Sequence, residues 1–250
     1  MKITSVKRTD GFGSQFQSII YGILYAYYYK YEYIYRPITQ IGIYTDTDLY
    51  SRINRYLNLE GDYNNYYLID DQRSINTIDF YETMHTVENN LDYLLQSECI
   101  THLKNLFWEN KNKPYDKKNN IAIHIRRHNK HDYINGMLRC YNSLEYYLTI
   151  IKKLRLIYNN YTIHIFSQGK LDEFTDFMSD DVILHIDEDM HQNDFFETFS
   201  YLVSADVLVT SRSSFSYIAA YLSDGIIYYE NICHKPAKNW INLSSFITNE

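Results

Sequence analysis

From residue 120 onward the chain alternates short apolar runs with amphipathic stretches. The runs "IAIHI" (121–125), "YTIHIFS" (161–167), "VILHI" (182–186), "DVLVTS" (206–211) and "GIIYY" (225–229) are short and rich in β-branched residues, so each predicts a buried strand. Between them, segments at about 143–157, 170–178, 194–204 and 213–223 carry apolar positions at three- and four-residue spacing and predict helices. Strands alternating with helices form parallel βαβ units, with the sheet covered on both faces. Residues 120–250 are therefore expected to form a Rossmann-like domain, which binds ligands outside the carboxyl ends of its strands.

The first half is patterned less regularly. "KITSVKR" is strand-like, "TDGFGSQFQ" follows it, and Phe16, Ile19, Ile20, Ile23 and Tyr27 fall at helical spacing within the apolar stretch from Phe16 to Tyr33. After the apolar strand "IGIYTD" (41–46) the sequence turns polar to about residue 77, and a helical pattern returns at about 88–109. The charged stretch "ENKNKPYDKKNN" (109–120) has no apolar periodicity and marks a boundary between an N-terminal α/β domain, 1–115, and the C-terminal domain, 120–250.

With 45% hydrophobic and 22% charged residues, the chain has the composition of a soluble globular protein with a substantial core. The net charge of -7 and a pI near 5.7 argue against a nucleic-acid partner, which needs a basic face. Any anion bound here should be small and locally recognised. The 28 tyrosines are spread over the whole chain and, with abundant Asn and Ile, suggest an AT-rich genome such as that of a large DNA virus, with Tyr as a general filler. Cys99, Cys140 and Cys233 have no metal-ligand spacing and read as reduced thiols of a cytoplasmic protein. The most apolar run, "IIYGILYAYYY" (19–29), is shorter than the roughly 20 residues of a membrane span, and no secretory leader pattern precedes it.

Three predicted strand ends carry distinctive groups: His124, Arg126 and Arg127; then Ser167 and Gln168; then Ser211 to Ser214. Ser213 or Ser214 can cap the following helix, whose first-turn amides and macrodipole favour an anion. A guanidinium adds a planar fork that matches phosphate. A serine cap alone is local helix chemistry, and an arginine pair alone is a solvated surface feature. Together at the strand ends of one domain they describe a diphosphate site. Two other clusters invite a metal: Asp46 and Asp48 in "TDTD", as in metal-dependent GT-A transferases, and His185, Asp187, Asp189 and His191 on alternate residues of "HIDEDMH".

"HIRRHN" resembles the His-x-Arg-Arg motif of the GDP-fucose-dependent fucosyltransferases, which include alpha-1,2-, alpha-1,6- and protein O-fucosyltransferases. "DGFGSQFQS" resembles their N-terminal glycine-rich loop, and "SADVLVTSRSSFSYIAAYLS" their third motif. The motifs stand in the family's order and frame nearly the whole chain. The resemblance implies a GT-B fold, two Rossmann-like domains facing a cleft, with nucleotide sugar in the C-terminal domain and the acceptor on the N-terminal side. It implies inverting, metal-independent transfer of fucose or a related deoxyhexose from GDP to a hydroxyl of a glycan or protein, with no cofactor. Arg126 takes the β-phosphate, His124 the guanosine part, and Ser213, Ser214 and Phe215 the diphosphate turn. Arg127, Gly11, Gly13 and Gln15 join the donor site, as do Glu197 and Thr198 where several relatives have Asp. Asp10 matches the position of a glutamate that precedes the glycine-rich loop in one group, and is the candidate general base. Ser14, Asn129 and Thr198 depart from the family pattern and leave a non-catalytic nucleotide-sugar or glycan-binding module as the alternative, beside the metal-dependent reading of Asp46 and Asp48.

Overall fold

A computed structural model describes residues 1–42, 47–115, 118–127, 133–134, 137–138, 141–187 and 195–248. The chain divides into two compact units, Met1–Asn112 with His234–Lys238, and Lys113–Cys233 with Asn239–Glu250. The first division falls inside the charged stretch 109–120. Residues 234–238, by contrast, leave the sequence half in which their position places them.

The first unit contains β1 (Lys2–Ser5), α1 (Phe12–Tyr29), β2 (Glu32–Tyr33), α2 (Thr47–Leu57), β3 (Ile75–Ile78), α3 (Phe80–Asn89), α4 (Leu91–Leu94) and α5 (Glu98–Trp108). Its three strands are parallel, in the order β2-β1-β3. Helix α1 starts four residues before the expected Phe16 and stops at Lys30, which adopts the left-handed conformation with φ 58°. Gly22 lets it settle on the sheet, since a Cβ there would overlap Ser5 Oγ and lie 2.7 Å from the Tyr33 ring. Ser5 Oγ itself donates to the Ser18 carbonyl at 2.9 Å. Two elements fall in the stretch that reads as irregular: α2, of which only Ile53 and Leu57 are buried, and β3. No strand forms at 41–42, and residues 43–46 lie outside the described ones.

Residues 234–238 join this unit through Glu88. Its buried carboxylate accepts hydrogen bonds from His234 Nδ1 (2.7 Å), Tyr21 OH (2.8 Å) and the Lys235 amide (3.1 Å). Gln17 Nε2 lies 3.0 Å from His234 Nε2 and 3.1 Å from Tyr21 OH, so one amide nitrogen can supply both with a proton. Every polar group of this cluster has a partner, which is the condition for burying it.

The second unit contains β4 (Asn120–Ile125), the short antiparallel hairpin β5 (Tyr133–Ile134) and β6 (Met137–Leu138), then α6 (Leu144–Ile157), β7 (Thr162–Gln168), β8 (Val182–Asp187), α7 (Phe195–Ser204), β9 (Val207–Val209), α8 (Ser214–Leu222), β10 (Ile226–Tyr229), β11 (Ile241–Asn242) and α9 (Leu243–Thr248). A 3-10 segment, Leu171–Phe177, stands where a helix is expected at 170–178. Six strands form one parallel sheet in the order β11-β10-β9-β4-β7-β8. Numbered by appearance in this sheet they run 6-5-4-1-2-3, the strand order of Rossmann domains. The five expected strands are present; β11 and α9 add a sixth strand and a final helix that short polar flanks conceal. Among the described residues no helix is long and apolar enough to cross a membrane.

Gly225 precedes β10 where the chain passes the start of β9. A Cβ at this position would overlap the Ala205 carbonyl oxygen and come within 2.8 Å of that of Asp206, both backbone atoms that cannot rotate away. Gly225→Ala is expected to lower the unfolding free energy by about 1–3 kcal/mol, the usual cost of overpacking, as read by urea denaturation.

Candidate functional site

The sheet of the second unit reverses its strand order between β4 and β9. From β4 the chain proceeds outward through β7 and β8, and it returns to β4's other side with β9. Crossovers leaving such a point in opposite directions open a crevice at the carboxyl ends of the two central strands. Here β4 delivers Arg126 and Arg127, and β9 delivers Thr210 to Ser213 and the start of α8.

Hydrogen bonds hold that turn from several sides. His124 Nδ1 and Ser211 Oγ share one of 2.8 Å, joining the two strand ends. The Ser211 amide donates to Ser216 Oγ at 3.0 Å, and Ser213 Oγ accepts from the Phe215 amide at 3.3 Å. Ser213 is therefore the cap of α8 and Ser214 its first residue. The Thr210 amide donates to the Tyr228 carbonyl at 2.9 Å, and Thr210 Oγ1 accepts from the Glu230 amide at 2.9 Å. The outcome is a rigid helix start whose amides and dipole present positive potential at the crevice.

The two arginines differ. Arg126 is half-buried, with its guanidinium 5.9 Å from the Tyr141 ring centre. Arg127 turns back into its own unit: Nη2 donates to Glu173 Oε1 at 2.7 Å and the guanidinium lies 5.6 Å from the centre of Phe174. Gly169, at φ 133°, provides room, because a Cβ there would stand 3.1 Å from Arg127 Nη1. The Lys170 amide, and next the Arg127 side chain, hold the Glu173 carboxyl below its ordinary range. This pairing makes Arg127 a brace between β4 and the segment after β7. Arg212, which the sequence reading passed over, is exposed between Ser211 and Ser213 in the same turn; its position in "TSRSS" was the available signal.

His124 is buried, and desolvation followed by the charge of Arg126 pushes its pKa down to about 3. It is a neutral imidazole at physiological pH, 5.5 Å from the Phe215 ring, with Phe199 a further 5.2 Å beyond in a T-shaped contact. Helix α7 thus reaches the turn through Phe199. Thr198 beside it is half-buried and Glu197 is exposed.

In the first unit the glycine-bearing loop follows β1. Gly11 caps α1 with φ -65° and ψ 161° and no side-chain hydrogen bond, and Gly13 is buried in the first turn. Gln15 Nε2 donates to the Asp10 carbonyl (2.6 Å) and the Gln40 carbonyl (2.7 Å), stapling the loop shut. Asp10 is half-exposed and bound by both prongs of Arg8, at 3.2 and 2.5 Å. Each carboxylate oxygen keeps a second lone pair for a proton.

Each of the two metal motifs lies only partly within the described residues. Asp48 sits in the first turn of α2, while Asp46, Asn129, Asp189 and His191 lie outside the described residues. His185 is turned onto His164, 3.0 Å away, and stacks on Phe166. Among the described residues no group of three or more His, Cys, Asp or Glu side chains is arranged to hold a metal ion.

No protein-family model matches the sequence, and no curated protein matches it. Solved structures do align. A crystal structure of POFUT1 in complex with GDP covers 90% of this chain and 94% of its own at 13% identity, with a TM-score of 0.44. One of NodZ alpha-1,6-fucosyltransferase soaked with GDP-fucose covers 88% and 92% at 11% identity, TM-score 0.39. One of an Arabidopsis thaliana FUT1 mutant in complex with GDP covers 96% and 71% at 11% identity, TM-score 0.42. At these levels the chain's own geometry carries the functional reading.

The buried imidazole has a consequence for stability. In the unfolded chain His124 takes up a proton as pH falls below about 6.5, whereas the folded chain refuses it until about pH 3, so stability declines with falling pH across that window. His164, held down to about 4 mainly by burial, acts in the same direction. In urea unfolding between pH 7 and 4, His124→Asn should reduce the slope of stability against pH by about one proton.

Proposed function

We propose that the protein is a GT-B type glycosyltransferase that moves fucose or a related deoxyhexose from GDP to a hydroxyl acceptor, with inversion and without a metal. One observation carries the reading: the strand ends that bear Arg126 and the capped start of α8 are neighbours at the switch point between β4 and β9, tied by the His124–Ser211 hydrogen bond. Rupture of the bond between the sugar's anomeric carbon and the phosphate oxygen leaves charge on the β-phosphate. Preorganised donors aimed at that charge are the largest usual source of rate. In this reading a guanidinium and helix amides supply the positive potential, and Asp10 receives the acceptor's proton as its oxygen attacks. Donor recognition falls on the Ser213–Phe215 turn.

The test begins with GDP titration by calorimetry. Arg126→Ala should weaken GDP binding roughly 10- to 100-fold, the equivalent of a charge-assisted hydrogen bond or two, and Arg126→Lys should recover part, because lysine lacks the fork. Normal GDP affinity and turnover in Arg126→Ala would refute the assignment.

Asp10→Asn should leave GDP binding intact and slow transfer by about 10² to 10⁴, the range of general-base catalysis. Turnover of GDP-fucose should persist in EDTA; its loss would favour the metal-dependent reading of Asp46 and Asp48. GDP binding without any turnover would favour the binding-module reading.

A further inference from the structure

In the second unit a cavity of about 90 Å³ opens between α6 and the 3-10 segment with the residues that follow it. Its apolar walls are Ile151 and Phe177, both buried, half-buried Leu148 and exposed Met178. An engineered apolar cavity of about 150 Å³ admits benzene, so one of this size suits a group of roughly four carbons. Such a group stands beside it. Leu156 is 85% exposed, and it lies one turn beyond Lys152, a lining residue, on the same face of α6. Leu156 therefore does not fill the cavity of its own chain.

The charges at the rim differ in what they leave open. Arg155 is committed: Nε and Nη2 donate to Asp181, each at 2.7 Å, and Nη2 also to Ser179 Oγ at 2.5 Å. Lys152 and Asp176 are exposed and have no ion-pair partner among the described residues. One face thus carries a knob, a hole, a cation and an anion. Such a face is self-complementary under a twofold axis, which makes every contact occur twice. With two α6 helices antiparallel and crossing at Lys152, Leu156 of each copy stands opposite Leu148 of the other, a wall of the cavity. The two Lys152 ammonium groups repel across the axis, and each is drawn to Asp176 of the other copy.

We propose that this face of α6 joins two copies of the chain as an antiparallel homodimer, with Leu156 of each seated in the cavity of the other and reciprocal Lys152–Asp176 ion pairs at the rim. No residue assigned to the nucleotide takes part, so the dimer is independent of the glycosyl-transfer reading.

Sedimentation velocity of the full chain from about 1 to about 200 µM, the span in which a small interface dissociates, tests this. The wild type should shift from monomer to dimer as concentration rises. Leu156→Asp should stay monomeric throughout; the side chain is exposed, so the fold is kept, as an unchanged urea midpoint would verify. Should that midpoint shift, the charge variants decide. Lys152→Glu and Asp176→Lys should each weaken the dimer by about tenfold or more, the scale of lost interfacial charge pairs. Combined in one chain, they should restore it to within severalfold of the wild type. A wild type that is monomeric across the range overturns the proposal. So does a dimer that a folded Leu156→Asp leaves intact, because its interface lies elsewhere, and so does a double variant that associates no more tightly than the single ones.

Discussion

The parallel pairing of β4 with β9 is the constraint on which the rest of the second unit depends. Their contact is short, Ile121 to Ile123 against Val207 to Val209, and apolar throughout. At its amino end Asp206 Oδ2 accepts the amides of Asn119 (2.7 Å) and Asn120 (2.9 Å), which fixes register before the strands begin. At its carboxyl end the pairing continues as the His124–Ser211 hydrogen bond. A one-residue slip would break both ends and turn the Arg126 side chain to the other face. The position of the guanidinium relative to α8 is thus set by strand register, with loop conformation secondary.

The same constraint explains what could be read from the amino acids alone. Strands buried on both faces are written as unbroken apolar runs, so β4, β7, β9 and β10 were legible to within a residue or two; β8 was equally legible, but as an edge strand it is only half-buried, with Ile183 exposed, where its apolar run predicts a buried strand. Helix α2 was passed over although Leu49, Tyr50, Ile53, Tyr56 and Leu57 fall at helical spacing, because polar and charged residues surround that stripe and only Ile53 and Leu57 are buried. Residue chemistry does not separate Arg126 from Arg127, and only the family resemblance gave them different roles; adjacent residues leaving a strand diverge, and the location of Glu173, 46 positions on from Arg127, decides which one is braced. Ser211 and Ser216 were hidden for a similar reason. Four serines in six residues look interchangeable until Ser216 accepts the Ser211 amide and Ser213 the Phe215 amide.

Tyrosine usage illustrates the gap between composition and structure. Spread evenly, the tyrosines read as filler, and many are: Tyr21, Tyr35, Tyr147, Tyr217, Tyr221 and Tyr229 are among the largest fully buried side chains. Yet several hydroxyls end on specific acceptors, Tyr21 on Glu88, Tyr25 on Glu82 and Tyr146 on Glu230. An aromatic ring packs while its one polar atom adds a hydrogen bond to a carboxylate. The pairing partner is remote in sequence each time, so composition could not reveal it.

The return of residues 234–238 to the first unit changes what counts as a module in this protein. The segment 1–112 ends where a composition break suggests a clean seam, but it lacks His234 and Lys235, two of the three groups that satisfy Glu88. Severed there, it would carry a carboxylate at the heart of its packing with one remaining partner, Tyr21. Recombination between relatives, natural or engineered, therefore has a two-crossover requirement: an exchanged N-terminal half must bring with it the short piece encoded more than a hundred residues downstream.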